Sequence, residues 1–373
     1  MRLLDRYIFR EWLKVFLMAI GATLGILLLE NIYNNLPDLL GWGATPKMIA
    51  RYYIVLLPGL LPTVMPLSLL VSVLYLLGAL HRNHEITAMR AAGLSIFRIT
   101  RSLWAAGVLL AVGLFYLNAD LVPWSVQQSR NLKESIRFAS EAERQDRSTV
   151  GLVYHLAFEN RREGRLWFFN RFSQLTYQGF GVNVYSRDAA GRETFRVMAR
   201  EAFFDDFDEH WVLLDGREVT FDVATGEPIR SLPFERKAYP EFSETPTTMR
   251  TLAKRPKDLS FYELESVLVT LGDDQGQADR QYNAYAVRYQ AILASPFICI
   301  IVIGIAVPFA VAGVRTNPMV GVSKSAGLFF AYYLVANLCT MMGAQEILNP
   351  VMAAWTPNLI MLGLSGYLMS RVA

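Results

Sequence analysis

The 373-residue chain predicts an α-helical membrane protein with six transmembrane helices and an external all-β, jelly-roll-like domain inserted between helices 3 and 4. Three observations carry that prediction. Stretches 52–80, 289–314, 325–345 and 347–370 hold no charged residue, and each meets the roughly 20 residues at 1.5 Å rise that a bilayer core requires. Two shorter uncharged runs, 15–29 and 103–119, are extended by Trp12, Leu13, Tyr33, Leu121 and Trp124, residues suited to the membrane interfaces. From about Val150 the helical pattern gives way to short strands separated by turn signals.

The basic residues orient the spans. Outside segment 123–288 there are 13 Lys+Arg and 7 Asp+Glu. One face collects Arg2, Arg6, Arg10, Lys14, Arg82, Arg90, Arg98, Arg101, Arg315, Lys324 and Arg371, leaving Lys47 and Arg51 on the other. Glu30, Asp38, Asp120 and Glu346 fall at the opposite ends of the spans, so both termini are expected in the cytoplasm and the middle segment outside. That segment is nearly balanced, with 23 basic and 26 acidic residues, and a net charge of +3 gives no reason to expect a nucleic-acid partner.

Taken in order, residues 1–14 set Ile8, Trp12 and Leu13 among Arg6, Arg10 and Lys14, a pattern that can lie in the headgroup layer and equally suits a plain cytoplasmic anchor. No small-residue cleavage site follows Leu29, so an uncleaved first helix is expected. The second span carries Pro58, Pro62 and Pro66 on one face, which frees carbonyls and predicts a bend or an unwound turn near its outer end. Such a break needs neighbouring helices or water to satisfy it, whether or not transport uses it.

The loop between the second and third spans, 81–101, is the stretch on which function is expected to turn. Asn83 suits a helix cap, Glu85 the first turn and Gly93 the end, giving a short helix over 83–93. Ala88, Ala91 and Ala92 keep its surface low, with Ile86, Met89 and Leu94 as apolar anchors for a partner. The same residues also suit a cytoplasmic turn with no partner, held by its arginines.

Gly107 and Gly113 thin the third span, and 124–147 reads as a polar helical stalk. Strands are expected over 152–158, 165–172, 182–186, 194–199, 210–215 and 218–222, with turns at Gly164, 188–191, Asp215-Gly216 and Thr225-Gly226, spacings typical of an antiparallel sandwich. Tyr154, Trp167, Phe169, Val182, Val184, Phe195, Trp211 and Phe221 would line its interior, as an ordinary core or as an apolar trough. Residues 259–271 form an amphipathic helix with Phe261, Leu264, Val267, Leu268 and Leu271 on one side. After a polar turn, 272–277, Arg288 stands near the outer interface, where a guanidinium can pair with a lipid phosphate or simply snorkel.

Cys299 and Cys339 fall inside spans, so the external domain has no disulfide and the thiols get no chemical role. There is no Gly-Lys pair and hence no Walker A loop. The histidines, 81, 84, 155 and 210, have no zincin spacing and no evident third ligand, so neither metal nor cofactor is expected and the chain is read as a non-enzyme.

The run from Met65, MPLSLLVSVLYLLGALHRNHEITAMRAAGLS, resembles the second span and coupling helix of the lipopolysaccharide-export permeases of the LptF/LptG (YjgP/YjgQ) family. LDRYIFREWLK near the start and LSFYELESVLVTLGDDQGQADRQYNAYAVRYQAILASPF before the fourth span agree with it in the same order. The resemblance implies residues 1–123 as spans 1–3, 124–258 as periplasmic stalk and jelly-roll, and 259–373 as interfacial helix and spans 4–6. It implies a permease half of an ABC exporter in the bacterial inner membrane, extracting lipopolysaccharide and passing it to a periplasmic jelly-roll bridge protein. Its partners would be a second LptF/LptG-type permease and a cytoplasmic ATPase dimer that hydrolyses the ATP. ATPase coupling falls on Glu85, Ile86, Met89, Arg90, Ala92 and Gly93; lipid contact on Glu30, Arg51, Arg288, Trp167, Phe169 and Trp211.

One position departs from the family's pattern. Glu30 stands where members tend to carry a lysine or arginine for lipid phosphate, so Arg51, Lys47 or the partner subunit supplies the cation, or the lipid is less anionic. A rival class is a mechanotransmission or receptor protein that relays ATPase motion to the β domain without moving lipid. A secondary transporter would need buried ionisable residues, which these spans almost lack.

Overall fold

The structure, a computed structural model, describes residues 3–144, 152–160, 163–173, 176, 178–188, 190–205, 210–245, 256, 259–272, 280–311 and 318–371. Arg2, Arg315 and the turn residues 273–277 lie outside the described residues. Helices α1 (Leu3–Gly41), α2 (Pro46–Arg82), α3 (Glu85–Ala91) and α4 (Ile96–Tyr116) lead through a π turn (Leu117–Leu121) into α5 (Val122–Arg144). Six strands follow, β1 (Leu152–Asn160), β2 (Arg165–Ser173), β3 (Gly179–Arg187), β4 (Glu193–Asp205), β5 (His210–Phe221) and β6 (Pro228–Tyr239). The chain closes with α6 (Phe261–Gly272), α7 (Arg280–Ala294), α8 (Phe297–Val311), α9 (Pro318–Ala344) and α10 (Pro350–Ser370). The described residues divide into two compact units, one of helices and one built on the sheet.

Among the described residues five helices are long and apolar enough to span a bilayer, and the pair α7–α8, bent by 52°, makes a sixth if counted as one span. Where an uninterrupted fourth span was expected over 289–314, the helix therefore breaks at Ser295-Pro296. Pro296 has no N–H for the Ile292 carbonyl, and the Ser295 hydroxyl donates to that carbonyl instead (2.9 Å). Asn358 of α10 donates to the Ala294 carbonyl (2.9 Å) and accepts from Tyr332 of α9 (2.7 Å), while Asn118 in the π turn donates to the Ser295 hydroxyl (3.1 Å). Side chains from two neighbouring segments, α10 and the π turn, thus satisfy the break, with Tyr332 of α9 holding Asn358 in place.

Helix α2 is continuous through Pro58, Pro62 and Pro66, with no unwound turn. The buried Ser125 hydroxyl enters the backbone ladder there, accepting from Gly59 N–H (3.1 Å) and donating to the Val55 carbonyl (2.5 Å). The N-terminal segment and the first span form one continuous 39-residue helix, α1, about 58 Å long at 1.5 Å per residue. Asp5, Ile8, Trp12 and Phe16, one stripe at helical spacing, are buried, and Trp12 donates to Ser72 of α2 (3.1 Å). Residues 17–38 have no buried side chain.

Close helix packing in the bundle depends on small residues, because lipid and side chains are equally apolar and contact must come from fit. A Cβ on Gly343 of α9 would lie 2.5 Å from Ala353 Cβ in α10 and 2.7 Å from a Val287 methyl in α7. The amphipathic α6 begins with a reciprocal cap: Ser260 Oγ accepts from Glu263 N–H (3.2 Å) and the Glu263 carboxylate from Ser260 N–H (2.8 Å). Leu264 and Val267 are buried, and Phe261 stacks on Tyr289 of α7 (4.7 Å).

The strands pair antiparallel in chain order, β1-β2-β3-β4-β5-β6, so the described strands form one sheet where the turn spacing suggested a sandwich. Asp215-Gly216, expected as a turn, lies inside β5. Asp215 takes φ +48, and buried positions change phase on the partner strand, from Val197 and Ala199 to Ala202. Bonds across the turn expected at 188–191 are present: Gly191 N–H donates to the Asp188 carbonyl (2.9 Å) and Arg192 N–H to its carboxylate (2.8 Å), and the latter bond with the Arg192 guanidinium holds the Asp188 carboxyl below its ordinary range. Trp167, Phe169, Val182, Val184 and Trp211 are buried and Phe195 and Phe221 half-buried, whereas Tyr154 on edge strand β1 is 62% exposed.

Candidate functional site

The stretch 81–101 folds as a short helix, α3, held between α2 and α4. Its start differs from expectation: Asn83 does not cap it. His84 holds the cap position at φ +59 with no side-chain cap, and the Asn83 amide donates to Glu85 Oε1 (3.4 Å). Its end is the double turn that a left-handed glycine permits. Gly93 at φ +82 donates to the Arg90 carbonyl (2.9 Å) and Leu94 N–H to that of Met89 (3.1 Å).

The helix has an inner and an outer face. Ile86, expected to meet a partner, is 2% exposed within the chain's own core, and Met89 and Leu94 pack against that core. A seven-residue helix is too short to hold itself in water, and these anchors fix it to the bundle. Thr87, Ala88, Arg90, Ala91, Ala92 and Gly93 remain exposed. Their small side chains leave the backbone open to close approach, with Arg90 the one long side chain among them.

Two α1 residues that sequence reasoning passed over complete the site. The Tyr7 hydroxyl donates to Glu85 Oε2 (3.2 Å). Asp5, with 3% of its side chain exposed, accepts from Arg101 (3.2 Å) and lies 3.9 Å from Arg98. A buried carboxylate needs such partners, and here they join the first turns of α1 to α4 while Tyr7 joins α1 to α3. The available signal was an acid at position 5 on the face that carries Ile8 and Trp12.

The residues expected to meet lipid fall in two groups. Glu30 on α1 and Arg51 on α2 are exposed, and Arg288 on α7 is half-buried. Trp167, Phe169 and Trp211 belong to the sheet unit and are each 0% exposed. Trp167 and Trp211 lie 5.1 Å apart and Phe169 stacks on Trp167 at 5.7 Å, so these rings cover one another.

Comparison with curated proteins finds no match. The family model for the lipopolysaccharide export system permease LptF/LptG matches residues 6–371, almost the full length. The chain therefore belongs to the LptF/LptG family and is a multi-pass inner-membrane transport subunit, not a catalytic one.

Proposed function

We propose that this subunit pairs with a second permease of its family, takes its power stroke from a cytoplasmic ATPase dimer seated on α3, and lifts lipopolysaccharide from the inner membrane to a periplasmic bridge. Both termini and α3 lie in the cytoplasm and the sheet in the periplasm; the one-sided distribution of basic residues supports this. Six spans supply half of a lipid-sized cavity. The stretch 17–29 of α1, uncharged and without a buried side chain, suits the second permease or the lipid as its neighbour. In the periplasm the sheet serves as the jelly-roll, receiving acyl chains on its aromatic face. The exposed edge strand β6 pairs with the bridge protein.

The observation that carries the ATPase assignment is the two-sided build of α3, with Ile86 sunk in the bundle and a low outer face open beside Glu85. A rigidly seated helix transmits a push; a loose loop absorbs it. Arginine in an ATPase groove would bind the Glu85 carboxylate, the small face admitting the groove wall. Removing one partner of a desolvated charge pair costs about 2 to 5 kcal/mol, or roughly thirty- to several-thousand-fold in binding.

Reconstitution of the Glu85→Arg variant with its ATPase should therefore lose both stimulated hydrolysis and lipid release, while Arg82→Ala and Arg98→Ala stay close to wild type. Tyr7→Phe separates the inner bond from the outer one, since it removes the Tyr7–Glu85 contact and keeps the charge. Wild-type hydrolysis and transfer by Glu85→Arg would leave α3 a plain cytoplasmic turn.

A further inference from the structure

Residues 240–245, beyond β6, cross the aromatic face of the sheet. Tyr239, the last residue of β6, pairs with Trp211 at the start of β5. Phe242 then stacks on Tyr239 (4.8 Å) and meets the edge of Trp167 (5.1 Å). Two residues on, Glu244 offers its carbonyl to the Trp211 indole N–H (2.6 Å). Its carboxylate oxygen Oε1 accepts from Arg165 Nε of β2 (2.8 Å) and Asn160 Nδ2 of β1 (2.7 Å). The same guanidinium reaches Ser243 (3.3 Å) and lies over the Phe242 ring (5.3 Å).

One residue thus touches β1, β2 and β5. In a flat sheet β2 and β5 stand three strand spacings apart, about 14 Å, yet the rings of Trp167 on β2 and Trp211 on β5 lie 5.1 Å apart. The sheet must curl, and 240–245 lies over the hollow of the curl. Trp167, Phe169, Trp211 and Tyr239, all 0% exposed, form its floor.

The cover is held by polar bonds over an apolar floor, and its polar accounts are incomplete. Glu244, 2% exposed, uses one carboxylate oxygen, while Oε2 has no hydrogen-bond partner among the described residues; neither does the Trp167 indole N–H. A buried ion pair with a spare acceptor adds little net stability but fixes one arrangement, and removal of either charge frees the segment. A cover meant only to complete a core would be held by apolar side chains, and here Phe242 alone does that.

We propose that residues 240–245 are a displaceable strap: with the Glu244–Arg165 bond made, the aromatic groove is closed, and when it opens an acyl chain replaces Phe242 on the floor of Trp167, Phe169 and Trp211. This rests on the reading of the sheet as a receiver of acyl chains. It explains how three residues suited to lipid contact can be wholly inaccessible in the closed form.

The test uses the full-length subunit in nanodiscs and a diazirine-bearing C16 fatty acid as photoprobe, with labelled peptides mapped by mass spectrometry. Glu244→Gln should raise labelling of peptides spanning 165–172 and 210–213 by about tenfold or more. It should speed hydrogen exchange at 242–245 by on the order of 100-fold, leaving β3 and β4 amides as protected as in wild type. If the single variant unfolds the sheet, the Arg165→Met/Glu244→Met pair, which removes both charges and keeps the cover apolar, decides the matter: its floor peptides should label no more than those of wild type. Equal floor labelling, above background, in wild type and Glu244→Gln, or floor labelling in the double variant above wild type, overturns the strap but keeps the acyl site. A floor unlabelled in Glu244→Gln despite fast exchange at 242–245 overturns the acyl reading itself.

Discussion

The clamp at the start of α1 makes an asymmetric prediction. Asp5 has 3% of its side chain exposed and Arg101 55%, with Arg98 as a second cation at 3.9 Å. Asp5→Ala removes a hydrogen bond to a charged group, worth about 1.5 to 3 kcal/mol, and leaves behind an arginine that water can reach. Solvent screening at Arg101 brings the expected cost to roughly 1 to 2 kcal/mol. Arg101→Ala leaves the buried carboxylate facing only the more distant Arg98, so its cost approaches the roughly 3 to 5 kcal/mol of a broken buried pair, less what Arg98 recovers, or about 2 to 4 kcal/mol. Removing both partners should cost little more than Asp5→Ala alone, because no carboxylate is then left without its partner. The assay is hydrogen exchange at amides 6–12 in nanodiscs, where these costs appear as about 5- to 30-fold faster local opening for Asp5→Ala and about 30- to 1000-fold for Arg101→Ala. A milder effect of Arg101→Ala than of Asp5→Ala would refute the burial argument, and additive losses in the double variant would refute the pairing.

Two further substitutions probe the bundle. Asn358→Leu leaves the Ala294 carbonyl and the Tyr332 hydroxyl without their amide, costing about 1 to 3 kcal/mol; spin labels on α7 and α8 should report a broadened or shifted distance, and an unchanged narrow distribution would show that Pro296 alone sets the 52° bend. Gly343→Ala drives a methyl to 2.5 Å from Ala353 Cβ and 2.7 Å from Val287, so α9 must shift at about 1 to 3 kcal/mol, lowering the melting temperature in detergent; an unchanged melting temperature would mean the contact has room.

Much of the fold was legible because membrane spans and alternating strands are local patterns. The uncharged runs gave the helices, and the alternating strand pattern from Val150 onward gave an all-β insert in its right place. The boundary errors also have local causes. Strand β6, PIRSLPFERKAY, was missed because two prolines and four charges hide its periodicity; as an edge strand, exposed almost throughout, it tolerates both. Asp215-Gly216 has the composition of a turn, yet strands on both sides continue its ladder and turn the positive φ into a kink.

The site divides along the same line. By itself the sequence determined that 81–101 holds a short helix ended by Gly93, that Trp167, Phe169 and Trp211 share one face, and to which family the chain belongs. These follow from spacing, from the residue a left-handed turn requires, and from motif order, none of which depends on distant neighbours. Only the tertiary structure decided that Ile86 faces inward, that Asp5 and Tyr7 reach α4 and α3, and that Glu244 binds Arg165 on a strand 79 residues away. The physical reason is that burial and charge pairing are properties of two surfaces brought together: a sequence shows which side chains can make such contacts, and only the packed chain selects the partner.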